Sequence, residues 1–579
     1  MLTGAQSMCE ALVREDVRVI FGIPGGAIMP FYNALPGYRD RLHHVLCRHE
    51  QGAGHAAEGY ARASGRVGVC IATSGPGATN LVTPIADAWM DSTPLVAITG
   101  QVSSALLGTD AFQETDIMGI TIPITKHSYL VRDAREISKV FREAFHIAST
   151  GRPGPVLIDV TKDAQQARVE QASEDGENGA PIALEEGGRA PVCDGDRAAI
   201  QKAVALLVHA QKPLILAGNG VIQSSATAEL LLFAERARIP VITTLHGKGA
   251  LPENHPLSLG MPGMHGWVHV NRAIQECDVL FNIGGRFDDR VTGKASTFAP
   301  KATIIHVDID ASEIGKNVRA HVGIVGDAKR VLSAMLEEVI LHEPRVATRA
   351  ANTEWLAHIR ELQERHQPHQ AYVRRPNTNQ LMPHDVYAAL NRLLASSTHD
   401  GYRVVTDVGQ HQMWAAQLIE WRHPRSHITS GGAGPMGFAV PAALGAALAC
   451  PDETIWVIVG DGGFQMTNQE LATIRQENVR NVKVCIVNNG YLGMVRQWQE
   501  LFEDRVYSGT PLSGPCFRQL AEAYGIRGIT VDRTGDVDAA FEYASEYDNS
   551  VVIDFRVEQE ANVFPIVPQG KSIGEMITA

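Results

Sequence analysis

The chain has 579 residues, 45% hydrophobic and 20% charged, with a formal net charge of −13. That length predicts about three to four domains, and the acidic excess argues against nucleic acid as a main partner. The most apolar stretch, Gly434 to Cys450, is short and broken by Pro435, Gly437 and Pro441, so no membrane helix is expected.

The N-terminus carries neither a basic-then-apolar signal peptide nor an Arg-rich transit peptide. Eight cysteines without a Cys-x-x-Cys pair predict reduced thiols, no zinc site and a cytoplasmic location. Residues 1–168 alternate short apolar strands with helical segments. The strand-and-turn units are VRVIFGIPGG (17–26), HHVLCRHE (43–50), VGVCIATSGPG (67–77), PLVAITGQ (94–101) and GPVLIDVTKD (154–163). This alternation predicts a doubly wound α/β domain. Residues 169–191 are acidic, Gly-rich and aperiodic, the pattern of a linker.

A second α/β domain is expected over 192–342. Its strands lie in KPLILAGNG (212–220), IPVITTLHGKG (239–249), DVLFNIGGRFDDR (278–290), ATIIHVDID (302–310) and GIVGDA (323–328). A polar connection, 343–380, holds an expected helix around Thr353–Arg365. The third α/β domain is expected over 381–550. Residues 551–579, with Pro565 and Pro568, read as a tail lying on the surface. The fold class is α/β, three doubly wound parallel-sheet domains. No repeat of fixed period is visible, so the three share architecture only.

The most informative stretch runs from Ile455 to Met494. The apolar run Ile455–Val459 predicts a buried parallel strand ending in Gly460-Asp461-Gly462. A helical segment leads to a second strand, Val482–Val487, ending in Asn488-Asn489. Ligands sit at that edge of open α/β sheets. Magnesium prefers oxygen ligands shared with a phosphate, and Asp461, Asn488 and the Gly490 carbonyl offer them. A plain strand-end turn also uses Gly-Asp-Gly, but the paired Asn at this spacing favours the metal reading.

Other chemistry-bearing residues have ordinary alternatives. Glu50 ends a strand where a helix starts, a common place for a carboxylate. Gln410 and His411 follow the strand RVVTDVG, where a diphosphate would lie. The Gly-rich run SGGAGPMG (430–437) opens a helix, a ready anion site. Met436 among its glycines is either core filling or a wedge under a cofactor. Phe112 and Gln113 sit in the loop TDAFQE. Arg286, Asp288 and Arg290 are either mutually salt-bridged or a grip on an anion. Asp308 ends a strand where nucleotide-binding acids meet a ribose hydroxyl. Gly218 and Gly220 lack the third glycine of the dinucleotide fingerprint.

Together the strings FGIPGGA, RHEQGAGHAAEGYAR, TSGPGATN, GTDAFQE, GRPGPVLID, GMHG, RFDDRVTG, DVGQHQMW, GDGGFQM and NNGYLGMVRQWQ resemble the catalytic large subunit of acetohydroxyacid (acetolactate) synthase. The likeness covers nearly the whole chain. RFDDRVTG and MVRQW separate that family from most thiamine enzymes. Ser103 stands where the pattern often has proline.

The resemblance implies three domains of the thiamine-diphosphate enzyme type: pyrimidine-binding, FAD-binding and diphosphate-binding, in that order. It implies decarboxylation of pyruvate on thiamine diphosphate and transfer of the hydroxyethyl unit to pyruvate or 2-ketobutyrate. The products, 2-acetolactate and 2-aceto-2-hydroxybutyrate, lead to valine, leucine and isoleucine. The implied cofactors are thiamine diphosphate, Mg2+ and FAD. Glu50, Phe112, Gln113 and Lys162 would be catalytic. Gly26, Ala27, Met261, Arg290 and Trp498 would meet substrate. Thiamine diphosphate would touch Pro24, Glu50, Gln410, His411, Gly434, Met436, Gly460, Asp461, Gly462, Gly463, Asn488, Tyr491, Leu492, Gly493 and Met494, with Asp461, Asn488 and Gly490 on the metal. FAD would touch Arg152, Gly218, Gly220, Thr244, Leu245, Gly263, Met264, His265, Gly285, Arg286, Asp288, Arg290, Val291, Asp308, Ile309, Gly326 and Asp327. A homodimer or homotetramer with active sites at the dimer interface and a small regulatory subunit are implied too. The rival readings are a flavin-dependent pyruvate oxidase or another thiamine-dependent carboligase. Glyoxylate carboligase resembles this pattern with an apolar residue where Glu50 stands.

Overall fold

Apolar runs with little alternation fold into parallel strands covered on both faces. The computed structural model describes residues 1–169, 194–341, 350–366, 380–396 and 401–578. The first domain holds β1 (Leu2–Thr3), β2 (Val19–Gly22), β3 (His43–Leu46), β4 (Gly68–Ala72), β5 (Leu95–Gln101), β6 (His127–Val131), β7 (Pro155–Thr161) and β8 (Arg168–Val169). Strands β2 to β7 form one parallel sheet in the order β3-β2-β4-β5-β7-β6, while β1 pairs antiparallel with β8. The central domain holds β9 (Pro213–Ala217), β10 (Val241–Thr243), β11 (Val279–Ile283), β12 (Thr303–Asp308) and β13 (Val322–Val325), in the order β10-β9-β11-β12-β13. The third holds β14 (Tyr402–Thr406), β15 (His427–Thr429), β16 (Thr454–Gly460), β17 (Val482–Asn488), β18 (Arg527–Val531) and β19 (Val551–Arg556), in the order β15-β14-β16-β17-β19-β18.

Renumbered within each sheet, the first and third orders are both 2-1-3-4-6-5, and the central one is 2-1-3-4-5. Each sheet therefore reverses direction between its first and third strands. The crevice for a ligand lies at the carboxyl ends of that pair. In the three domains these are the ends of β2 and β4, of β9 and β11, and of β14 and β16.

Two expected boundaries are corrected, that of the C-terminal tail and that of the first linker. Residues 551–579 are not a surface tail. Strand β19 is an inner strand, paired with β17 on one side and β18 on the other. Beyond it, Val563, Ile566, Val567 and Ile573 are buried. The Val567 amide donates to the Met264 carbonyl at 2.9 Å and the Lys294 amide to the Lys571 carbonyl at 2.9 Å, so this segment fastens the third domain to the central one. Apolar side chains flanking the prolines drive that burial. The connecting segment carries the helix expected there, over Ala350–Arg365. This helix buries Trp355 and Ile359 against Leu214 and Leu280, and Trp355 Nε1 donates to the Pro213 carbonyl at 3.0 Å. The expected linker begins with Val169, which belongs to β8. Its remainder, and residues 342–349 and 367–379 of the connection, lie outside the described residues.

The first and third domains share one core. The Ala- and Gly-rich helix Glu50–Ser64 crosses the helix Ala439–Ala449 so closely that a Cβ on Gly445 would lie 1.8 Å from the Ala56 carbonyl oxygen. Around this crossing Phe21, Ala56 and Tyr60 pack with Phe438, Ala442 and Phe464.

At the far end of the Glu50–Ser64 helix, Arg62 ties the domains electrostatically. Its Nη2 lies 3.2 Å from Glu58 Oε2, 3.1 Å from Asp91 Oδ2 and 3.6 Å from Asp87 Oδ2, and its Nη1 donates to the Thr429 carbonyl. Asp91 also accepts from the Gly431 and Gly432 amides at 2.9 and 2.8 Å and lies 3.1 Å from His246 Nε2. Burial alone would raise the Asp91 pKa, but His246, Arg62 and the glycine amide hold it well below the carboxylate range. Glu58, fully buried, is pushed up to about 7.

The helix crossing makes a direct demand on sequence. Gly445→Ala must push the two helices apart, because the obstacle is backbone and cannot rotate away. Overpacking of this kind costs about 3 kcal/mol. Urea unfolding followed by tryptophan fluorescence should show a markedly lower midpoint for this variant, and an unchanged midpoint would disprove the tight crossing.

Candidate active site

Three helices begin at the carboxyl edge of the third sheet: Gln410–Leu418 after β14, Asp461–Thr467 after β16, and Gly493–Phe502 after β17. None has a side-chain cap on its first turn. The leading amides of the Gln410 and Gly493 helices are thus open to an anion, which helix ends favour, whereas the Asp461 carboxylate faces the amides of Asp461 and Gly462. The three ends converge. A Cβ on Gly460 would lie 2.9 Å from His411 Nδ1, and one on Gly462 would lie 2.8 Å from Leu492 Cδ2 and 3.3 Å from Met436 Cε. His411 Nε2 is buried without a hydrogen-bond partner, and burial lowers the His411 pKa to about 3. Asp461 is also buried, and desolvation pushes its pKa up to about 7. An anion beside His411 and a cation beside Asp461 would each relieve these groups.

The turn after β17 is held rigidly. Asn488 Nδ2 donates to Asp554 Oδ1 at 2.9 Å, and Asn488 Oδ1 accepts from the Gly490 amide at 3.2 Å. The Gly490 carbonyl accepts from the Leu512 amide at 2.8 Å, which leaves its second lone pair. Asn489 Nδ2 donates to Gln410 Oε1 at 3.1 Å, and Gln410 Nε2 donates to Gln497 Oε1 at 2.8 Å and to the Ala561 carbonyl at 2.9 Å. The Gln410 side chain is thus committed inside the protein, and only its backbone remains for a ligand. The Gly-rich run is corrected as well. Its amides already have protein partners: Gly431 and Gly432 bond Asp91, Gly434 bonds Ser430 Oγ, and Gly437 bonds Asp407. Asp407 also takes the Ala439 amide at 2.9 Å, so the anion at the start of the Ala439–Ala449 helix is a buried side chain.

A cavity of roughly 1230 Å³ lies between the central sheet and the third domain, with Gly409 on its wall but not His411, Asp461, Asn488 or Gly490. From the third domain it is walled by Gly434, Met436, Met494 and Trp498 among others. From the central domain come Gly220, Thr244, Leu245, Met261, Met264, His265, Gly285, Arg286, Asp288, Arg290, Val291, Asp308, Ile309, Gly326 and Asp327, and from the first domain Arg152. Gly218 and Gly263 are not on this wall. A Cβ on Gly218 would lie 2.2 Å from the Gly284 carbonyl oxygen, so it serves the close contact of the loops after β9 and β11.

The arginines are partly engaged. Arg152 Nε donates to Ser92 Oγ at 2.8 Å and its Nη1 to Glu313 Oε1 at 2.8 Å. Arg286 Nη1 donates to the Met90 carbonyl, and Arg290 Nη1 approaches Met264 Sδ at 2.9 Å with 62% of its side chain exposed. Asp308 accepts the Asp310 amide at 2.9 Å, and burial raises its pKa to about 6. His265 Nδ1 lies 3.3 Å from the Pro565 carbonyl, under the buried C-terminal segment.

The remaining predicted residues gather at the carboxyl edge of the first sheet, away from the cavity wall. Pro24, Gly26 and Ala27 follow β2, Glu50 follows β3, and Lys162 follows β7. Glu50 Oε2 accepts from Asn80 Nδ2 at 2.9 Å. Gln113 holds a left-handed φ of +61° against Gly75, and its neighbour Phe112 is 88% exposed. Asn80, Asp407, Gln497 and Asp554 were not legible as site residues. Asn80 and Asp407 stand inside recognisable strings, TSGPGATN and DVGQHQ, but their partners are long-range.

Family models match all three domains: the thiamine pyrophosphate enzyme N-terminal TPP binding domain over residues 2–120, the central domain over 200–335, and the C-terminal TPP binding domain over 407–555. An acetolactate synthase large subunit of Corynebacterium glutamicum is 48% identical over 577 residues, covering 99% of this chain and 89% of the relative. An acetolactate synthase of Mycobacterium bovis is 48% identical over 584 residues, covering 100% and 92%. A probable acetolactate synthase large subunit of Methanocaldococcus jannaschii is 46% identical over 577 residues, covering 100% and 95%. With matching domains in matching order and similarity along its whole length, the chain belongs to the acetolactate synthase large subunit family of thiamine pyrophosphate enzymes.

Proposed function

We propose that this chain decarboxylates pyruvate and joins the remaining two-carbon unit to a second 2-keto acid, pyruvate or 2-ketobutyrate. The products are 2-acetolactate and 2-aceto-2-hydroxybutyrate, precursors of branched-chain amino acids. The observation that carries this reading is the convergence of three uncapped helix ends on Asp461 and Asn488, next to a large cavity that Gly409, Met436 and Met494 help to line. Thiamine diphosphate, when bound, supplies the carbanion that attacks a keto carbon. The diphosphate suits the backbone amides at the starts of the Gln410 and Gly493 helices, with His411 beside them. Asp461, Asn488 Oδ1 and the Gly490 carbonyl form an all-oxygen donor set for Mg2+. Met436, beside Gly462, is placed to shape the cofactor. FAD suits the remaining cavity, with Asp308 at a strand end where a ribose hydroxyl is expected. The condensation has no net redox change.

Glu50 is the acid–base residue. Its carboxylate, steadied by Asn80, would exchange a proton at ring nitrogen N1′ of the aminopyrimidine. Within one chain Glu50 lies outside the cavity that Met436 and Trp498 line. Phe112 and Ile122 of the first domain and Met466 and Val506 of the third are 88%, 62%, 54% and 63% exposed. A second copy would cover such side chains and bring Glu50 of one protomer to Asp461 of the other. A homodimer, or a homotetramer built from it, is therefore the active form, with a small regulatory subunit as partner. Among the described residues no helix is long and apolar enough to cross a membrane, and the reading places the enzyme in the cytoplasm.

The direct test is incubation with pyruvate, thiamine diphosphate and Mg2+, with acetolactate as the measured product. Absence of acetolactate from the cofactor-loaded enzyme would overturn the reading. Glu50→Gln should retain thiamine diphosphate but turn over about 10²–10⁴ times more slowly; a near-normal rate would remove Glu50 from the mechanism. Asp461→Ala should lose metal and cofactor together, read as quenching of protein fluorescence in a Mg2+ titration, and unchanged cofactor affinity would contradict the donor set. Trp498 lines the cavity near Met494 and Val495 and packs on Phe502 with ring centroids 5.0 Å apart. One methylene in an apolar pocket is worth about 1–3 kcal/mol, or about 10–200-fold. Trp498→Leu should therefore erase most preference for 2-ketobutyrate over pyruvate as acceptor while acetolactate formation persists. A competition assay with both keto acids reads this, and an unchanged product ratio would reduce Trp498 to packing.

A further inference from the structure

Strand β19 places Asp554 next to the end of β17, opposite Ile486, with Arg556 opposite Asn488. Asp554 is 1% exposed. Its Oδ1 accepts from Asn488 Nδ2 at 2.9 Å and its Oδ2 from Arg556 Nε at 3.3 Å. A primary amide presents an oxygen at one end and an NH2 at the other, in nearly the same shape. Only the oxygen can bind a hard cation. An ionised carboxylate accepts and cannot donate, so it turns the NH2 of Asn488 toward itself. The oxygen is left at the opposite end, where the Gly490 amide donates to it at 3.2 Å. The two contacts agree on one orientation. The carboxylate contact is the shorter, and the Gly490 contact, at the upper end of the usual range, reinforces it.

We infer that Asp554 is a positioning residue of the cation site, holding the Asn488 amide so that its oxygen faces the ion. The inference rests on the reading of Asp461, Asn488 and the Gly490 carbonyl as that site. Partners that orient metal ligands matter nearly as much as the ligands themselves. Asp554 could instead act as a bare negative charge near Asp461, and the two roles separate on substitution. Asp554→Asn keeps an acceptor oxygen and removes the charge. Asp554→Leu removes both with the same branching but more bulk, and Asp554→Thr removes the reach of the acceptor while keeping a residue suited to a strand.

The experiment is Mn2+ binding to the full chain with thiamine diphosphate, read as loss of the free Mn2+ electron paramagnetic resonance signal. Thermal unfolding of each variant is followed in parallel. Asp554→Asn should bind Mn2+ within about threefold of the unaltered chain, and Asp554→Leu and Asp554→Thr about 10–100-fold more weakly. If Asp554→Leu does not fold, Asp554→Thr carries the comparison. Equal weakening in the Asn and Thr variants would show that an acceptor oxygen without the charge does not hold Asn488, and would overturn the inference. Unaltered affinity in the Leu or Thr variant would overturn it outright. Asp461→Ala separates the two levels of argument. Loss of Mn2+ in that variant supports the site itself, whereas unchanged binding would overturn the site and this inference with it.

Discussion

One buried guanidinium holds the three domains in register. Arg62 stands among Glu58, Asp87 and Asp91 of the first domain and bonds the Thr429 carbonyl of the third, while Asp91 reaches His246 of the central one. Charges taken out of water are tolerated only when they are paired and hydrogen-bonded. Here Asp91 achieves that with two glycine amides besides Arg62. The same helix begins with Glu50 and ends near Arg62. Fixing one end of a rigid rod fixes the other, so the position of the Glu50 carboxylate depends on a cluster some way behind it.

The distribution of fixed charge also decides where an anionic cofactor goes. Two glycine-rich helix starts invite anions in the third domain. One is filled by Asp407 and Asp91 from the protein itself. The amides after Gly409 and Leu492 have no such side-chain partner, and those after Gly460 face only the Asp461 carboxylate. The open set lies next to Asp461 and Asn488, where a cation can join phosphate to protein. The repeated 2-1-3-4 strand order puts all three crevices at strand carboxyl ends, and the cavity unites those of the central and third sheets.

Much of this was legible in the sequence because strand-end motifs are local. Gly-Asp-Gly, Asn-Asn, RFDDRVTG and the runs before them mark buried strands and their ligand edges within a few residues. Strand β19 was missed because VVIDFR carries a buried Asp and an exposed Arg and follows a polar turn, which hides its inner position. Strand β15, His427–Thr429, is too short to show any period. The glycine-rich run was misread because the acids that fill it come from elsewhere: Asp407 precedes it by about thirty residues and Asp91 lies in another domain. Hydrogen-bonded pairs of that separation leave no periodic trace. The orienting contact of Asp554 on Asn488 is of the same kind.

The strand order has a consequence for how the chain is assembled during synthesis. Strand β18 precedes β19 in the chain, yet β18 reaches the rest of its sheet only through β19. Until residue 556 has been made, β18 has no strand to join, and the apolar edge of β17, from Val482 to Val487, stays unpaired. Open edges of this composition are templates for association with other chains. Between the making of β17 and of β19 the nascent third domain therefore carries an open apolar edge that only its own last strand closes.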